Sequence, residues 1–136
     1  MLLTRECDYA LRIMRALAGG EKRTVADICQ AEFVPVQFAY KILKKLERAA
    51  LVRSVRGREG GYVLARSTRD FTLYDVVIAM EEEALLNDCL RQDDDCPRNT
   101  NDEPCAVHKE FQRVQDILAG ELRRKAFCEV LSEPDG

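Results

Sequence analysis

Apolar residues recur every three or four positions in several separate stretches of the chain. Each stretch is bounded by glycine, proline or a threonine placed to cap a helix. Over residues 4–18 the repeat is Ala10, Ile13, Met14 and Leu17, ended by Gly19-Gly20, with Thr4 as the N-cap. Residues 24–31 give a shorter helix: Thr24-Val25-Ala26-Asp27 is a capping pattern, and Val25, Ile28 and Cys29 share one face. A third helix begins near Pro35, a residue suited to a first helical position. Its buried stripe is Ala39, Ile42, Leu43 and Leu46. Its other face carries Gln37, Tyr40, Lys41, Lys44, Lys45 and Arg48. Two short helices joined by a tight turn, the second basic outside, form a helix-turn-helix pattern.

The period then changes. Leu51–Arg56 and Tyr62–Arg66 read as strands joined by Gly57-Arg58-Glu59-Gly60-Gly61, a hairpin tip able to take positive φ at several positions. Arg53, Arg56, Arg58 and Arg66 surround that tip. A basic hairpin directly after a basic helix is the layout of a winged helix. Residues 72–82 form another helix, capped by Thr72-Leu73-Tyr74-Asp75 and apolar at Leu73, Val76, Val77 and Met80. Residues 87–104 are acidic and aperiodic, with two prolines, and so need some reason to be ordered. The last helix is expected from about Pro104 to Leu131. Val107, Phe111, Val114 and Leu118 form a seam suited to packing on another helix. The pattern as a whole predicts a mainly α (α+β) fold. Its regions are a winged helix-turn-helix domain over residues 1–82, a cysteine-containing loop over 83–104, and a C-terminal helix and tail over 105–136.

Composition adds little until it is divided along the chain. At 46% hydrophobic and 33% charged, this is an ordered globular protein. Net charge is −3, yet residues 35–69 hold nine Lys/Arg against two Glu, a local +7. Residues 81–105 hold nine Asp/Glu against two Arg, a local −7. A basic section can bind a polyanion despite an acidic total, because only the contacting face meets the phosphates. Gln37 and Tyr40 are therefore expected at base edges, Lys41, Lys44 and Lys45 at bases or phosphates, and Arg56 and Arg58 at the backbone or minor groove of double-stranded DNA. The N-terminal residues turn charged at Arg5-Glu6 before an apolar leader can form, and no stretch is long enough to span a membrane. The expected compartment is a reducing cytoplasm, where six cysteines point to metal or redox chemistry rather than a disulfide framework.

Three of those cysteines, Cys89, Cys96 and Cys105, fall within the one segment that otherwise lacks a reason to fold. Thiolates are soft anionic ligands suited to iron–sulfur clusters or zinc. Pro97 and Pro104 each adjoin a cysteine and stiffen the loop. Cys105 is expected in the first turn of the last helix, where the positive helix end favours a thiolate. His108 lies three residues on, on the same face. Cys29 reads as a core residue; Cys7 and Cys128 have no assigned role.

The run Leu51-Val52-Arg53-Ser54-Val55-Arg56-Gly57 followed by Gly60-Gly61-Tyr62-Val63-Leu64, with Leu3-Thr4 and Asp8-Tyr9-Ala10-Leu11 at the start, resembles the IscR/NsrR/RirA/CymR regulators of the Rrf2 family, from Met1 to roughly Leu122. That resemblance implies a winged-helix homodimer held by a long C-terminal helix and bound to palindromic operators. It also implies, as in many members, a [2Fe–2S] or [4Fe–4S] cluster on three cysteines that controls DNA affinity. For the fourth ligand it offers two candidates, since His108 matches the IscR-like Cys-x-x-His element and Asp8 matches the first-helix carboxylate of NsrR-like members. Two departures stand out. The position before Leu51, usually glycine in the family, is Ala50 here, so the end of the third helix is expected to close differently, and the spacing Cys89-x6-Cys96-x8-Cys105 is wider than the commonest form.

The expected function is that of a regulator, most simply a repressor, responding to redox state, nitric oxide or iron–sulfur status. Zinc in the same Cys/His set, thiol oxidation without a cluster, and a metal-stabilised interaction domain are the alternatives. An enzyme with a small-molecule substrate is not indicated: no nucleophile–base pair, phosphate loop or metal-hydrolase motif occurs.

Overall fold

The computed structural model describes residues 3–132; Met1, Leu2 and the end of the tail, 133–136, lie outside the described residues. The elements follow the apolar pattern closely. They are α1 (Arg5–Leu17), α2 (Val25–Glu32), α3 (Val36–Arg48), β1 (Val52–Val55), β2 (Gly61–Leu64), α4 (Leu73–Met80), a 3-10 turn (Asp88–Leu90), α5 (Ala106–Arg123) and α6 (Phe127–Ser132).

Each threonine cap forms. Thr4 accepts from Cys7 N, Thr24 accepts from Asp27 N, and Thr72 with Asp75 completes a reciprocal capping box. Pro35 is the N-cap of α3 rather than its first helical residue. The helix therefore starts one position later than the proline suggests.

α1, α2, α3 and α4 share one core. Ile13, Met14, Leu17, Ile28, Ile42, Leu43 and Leu46 are fully enclosed, and Val76, Val77 and Met80 of α4 close the cluster. Burial of each such side chain contributes about 1.5–3 kcal/mol before entropy is counted. Cys7 continues the inner stripe of α1 and is completely buried, so its role is packing. Cys29 lies in a satellite cluster with Val34 and Ala39, and burial pushes its thiol pKa up.

β1 and β2 pair antiparallel, with Val52 opposite Leu64 and Val55 opposite Gly61. The strands are shorter than expected. The chain leaves the ladder beyond Val55, and Gly57 turns with φ 143°. It is the one wing glycine with positive φ; Gly61 is required for a different reason. Tyr62 also pairs with Arg23 through bonds of 2.8 and 3.0 Å, and a β-carbon on Gly61 would collide with the Arg23 carbonyl. The wing thus lies directly against the segment that joins α1 to α2.

The continuous helix expected over 104–131 is corrected by the structure. α5 ends at Arg123, and α6 restarts at Phe127. A long-range contact causes the break. Phe127 N donates to Phe71 O, Cys128 N donates to Thr68 O, and the Phe71 and Phe127 rings stack at 5.1 Å. Backbone donors used for that docking are withdrawn from the helix. Among the described residues, no helix is long and apolar enough to cross a membrane.

Candidate functional site

The third helix presents a basic outer face because its apolar stripe turns inward. Gln37, Lys41, Lys44 and Arg48 recur at intervals of four, three and four, and all four are exposed. They form one line opposite Ala39, Ile42 and Leu46. Arg48 lies in line with the residues expected to contact DNA, and its spacing from Lys44 was the signal for it. Tyr40 is also exposed, on the flank nearer the wing.

Lys45 is not brought together with that line. Its ammonium lies 2.9 Å from Glu6 of α1 and donates to the Met80 carbonyl at 3.4 Å. It ties α1, α3 and the end of α4 together. Spacing places it toward α1, where the Glu6 carboxylate meets it. Beside it, the Thr4 hydroxyl donates to Glu81 at 3.1 Å.

The wing carries Arg56 and Arg58 exposed near its tip. Two contacts hold it, one to α3 and one to the segment that joins α1 to α2. Ser54 N donates to Glu47 Oε2 at 3.1 Å, and the Lys22 ammonium donates to Glu59 O at 2.6 Å. Glu47 and Lys22 are positioning residues that sequence reasoning missed, since neither has a periodic signature.

The cysteine segment is built differently. Cys89 sits in the 3-10 turn, its sulfur accepting from Asn87 Nδ2 at 3.3 Å. Cys105 is the N-cap of α5 rather than part of its first turn, and makes no side-chain capping bond. Its backbone N–H instead donates to Asn99 Oδ1 at 2.9 Å, which closes the loop onto the helix start. Cys89, Cys96 and Cys105 are all half-buried free thiols. His108 follows in the first turn of α5, with Nδ1 buried and without a hydrogen-bond partner. A buried imidazole nitrogen without a partner is costly unless something else engages it. Gln115 anchors the loop's entry: Leu86 N donates to its Oε1 at 2.8 Å, and its Nε2 donates to Ala84 O at 2.7 Å.

Asp8 lies apart from this group in the chain. It pairs with Arg12 at 3.2 Å and lines a cavity of about 490 Å³ with Arg15, Phe33, Phe127 and Leu131. Among the described residues, no three His, Cys, Asp or Glu side chains converge closely enough to hold a metal ion. The donor set nonetheless fits a soft metal or cluster. It offers three thiols free of strong bonds, and an unpartnered imidazole nitrogen one turn after the third.

On α5 the expected seam divides. Phe111 and Leu118 are half-buried, while Val107 and Val114 are exposed and are joined outside by Ile117.

Residues 3–133 match the sequence profile of the Rrf2 family, described as iron-dependent transcriptional regulators. The chain belongs to the Rrf2 family. It is 41% identical over 100 residues to protein aau3 of Rhizobium meliloti, covering 71% of this chain and 65% of that relative's length. It is 33% identical over 101 residues to protein rrf2 of Nitratidesulfovibrio vulgaris, covering 72% of this chain and 67% of the relative. Among solved structures, CymR (YrzC), the global cysteine regulator of B. subtilis, superposes with a TM-score of 0.77 at 24% identity over 97% of each chain. IscR of T. potens superposes with a TM-score of 0.71 at 21% identity, over 98% of this chain and 92% of that one. These likenesses show the fold, a mainly α winged helix. The Rrf2 family consists of transcriptional regulators rather than enzymes.

Proposed function

We propose that this Rrf2-family chain is a homodimeric DNA-binding regulator whose operator affinity is set by an iron–sulfur cluster held on Cys89, Cys96 and Cys105. The observation that carries the DNA reading is the line of Gln37, Lys41, Lys44 and Arg48 on the outer face of α3, with Arg56 and Arg58 beside it on the wing. In a helix-turn-helix the second helix enters the major groove, and its basic residues displace counterions from phosphates. Lys45 and Glu47 act behind that surface. One fixes α3 to α1 and α4, the other fixes the wing to α3. The Val107, Val114 and Ile117 row supports pairing of α5 with a second copy, which places two recognition helices on a palindromic site.

The cluster reading is supported by the partnerless His108 Nδ1, three residues after the uncommitted Cys105 thiol. Cys89, Cys96, Cys105 and His108 would hold the group. Asp8 of a second copy is the other candidate for the fourth position. When bound, the group supplies a redox- and nitric-oxide-sensitive centre with a non-thiolate ligand that is easier to displace. The chain's own residues link that loop to the reader: Gln115 holds residues 84 and 86, while Glu81 and Met80 contact Thr4 and Lys45. Ordering of the loop therefore bears on the seat of α3.

Anaerobic purification with visible absorption, iron and acid-labile sulfide tests this reading. Charge-transfer bands with matched iron and sulfide, lost in Cys96→Ala, are expected. A colourless protein with neither, even after reconstitution, would sink the cluster. It would leave the second reading, zinc or bare thiol chemistry at the same residues, which the half-buried, unconverged thiols also suit.

A further inference from the structure

The outer line of α3 is not uniform along its length, and the difference points to what the protein reads. Its C-terminal part carries three cations, Lys41, Lys44 and Arg48. Its first turn carries none, and no acidic residue either. There the exposed groups are Gln37, Val36 at 50% exposure, Phe38 at 41% on the opposite flank against the Tyr9 ring of α1 and, one turn on, Tyr40 at 54%. Val36 and Tyr40 are four residues apart, on the flank that also bears Glu47, toward the wing. A valine and a tyrosine half-open to water beside a carboxamide, at the end of the helix that enters a groove first, form a small mixed surface. The core does not need it: Ala39, Ile42, Leu43 and Leu46 already supply the packing of α3.

The chemistry of those groups selects a base pair. A glutamine side chain offers one donor and one acceptor side by side, which matches the N6 donor and N7 acceptor of adenine in the major groove. An apolar side chain next to it has a partner only in the C5-methyl of thymine. Cytosine presents a donor and is best met by a carboxylate. Glu47, the acid on that flank, is three turns away and committed to Ser54. Guanine presents two acceptors and is best met by a cation, which this turn lacks.

We infer that the first turn of α3 specifies an A·T pair in each operator half-site, with Gln37 reading the adenine and Val36, backed by Tyr40, packing on a thymine methyl at that pair or the next. Lys41, Lys44 and Arg48 then hold the following phosphates. This rests on α3 being the groove-entering helix, and the test separates the two claims.

The full-length protein is used to select duplexes from a pool with a randomised 30-base-pair centre, alongside Gln37→Ala and Val36→Ala. Both positions are exposed, and equal melting temperatures confirm that the variants fold. An A·T pair enriched symmetrically with wild type is expected, becoming degenerate with Gln37→Ala while the rest of the consensus persists. In the wild-type consensus duplex, replacing the thymines at that pair and the next by deoxyuridine removes only methyl groups. It should weaken wild type roughly three- to ten-fold and leave Val36→Ala unchanged. A G·C pair at the position altered by Gln37→Ala, a consensus indifferent to that substitution, or equal binding of thymine and deoxyuridine duplexes would each overturn the inference while leaving DNA binding intact. Failure to enrich any duplex would overturn DNA binding, and the inference with it.

Discussion

The reading head and the cysteine loop lie side by side in this chain but are ordered by different means. In the head, α1 to α4 surround a core of fully buried aliphatic side chains, and the positions of α3 and the wing follow from that core. In the loop, among the described residues, no side chain is buried between Ala84 and Gln115. Its order rests on a few polar contacts, those of Asn87, Asn99, Thr100 and Gln115. Bonds of that kind contribute about 0.5–1.5 kcal/mol each, against several for a core leucine. A regulator needs this asymmetry. Under the proposed function, the reader is present in every state, whereas the cysteine loop, as sensor, has a state to lose.

Leu46→Ala should break the comparison most strongly. Leu46 is fully buried in the core that α1 to α4 share, and its truncation should cost about 2–5 kcal/mol. In metal-free protein Cys96→Ala should cost less than about 0.5 kcal/mol, because its side chain sits in a segment without a core. Urea titration of both variants decides it. Comparable losses would show that the loop is a structural part of the head.

Gln115→Ala should produce the next largest effect. It removes two bonds, of 2.8 and 2.7 Å, to the backbone at Leu86 and Ala84. Leaving those groups unpaired should cost about 1–3 kcal/mol. The cost should be local: limited proteolysis is expected to accelerate within 85–105 and not within 5–80. Uniform acceleration would mean that loop and head open together.

Lysines on α3 divide the comparison more finely. Lys44→Ala should lower the slope of log affinity against log salt by about 0.9, because one phosphate contact is lost. Lys45→Ala should leave that slope alone and instead reduce stability by about 1 kcal/mol, since its ammonium is paired with Glu6 at 2.9 Å. A changed slope for Lys45→Ala would return it to the contacting surface.

What the sequence could and could not convey follows the same division. The stripes, the threonine caps and the glycine-marked hairpin are local signals, and the head is built from them. Lys45 differs from Lys44 only by one helical step, and its fate depends on Glu6, thirty-nine positions away. The break between α5 and α6 depends on Phe71 meeting Phe127, and Gln115 depends on two loop backbone groups. No periodicity encodes such long-range partners. The thiols were legible as a triplet because of their chemistry. Their mutual placement was not, because a segment without apolar spacing leaves no geometric trace in the sequence.

The smallest effect expected is a gain. Both ends of the recognition helix are bounded by a residue in the left-handed region, Phe33 at φ 56° before it and Ala50 at φ 58° after it. At the far end the closure is complete: Ala50 N donates to Glu47 O and Leu51 N to Leu46 O, each at 3.0 Å, the paired bonds of a glycine-type helix stop. Alanine therefore does not close the helix differently. It takes the conformation that glycine would, against a steric cost of about 1–2 kcal/mol. Ala50→Gly relieves that cost and gives back part of it as greater freedom in the unfolded chain, about 0.5–1 kcal/mol. A net stabilisation of about 0.5–1 kcal/mol is expected, read as a higher urea midpoint at unchanged m-value. DNA affinity should not change, because the path of α3 into β1 is the same. A lower midpoint would show that Ala50 does not occupy the left-handed region in solution. The head would then carry, at the junction of its reading helix and its wing, some of the looseness assigned to the loop.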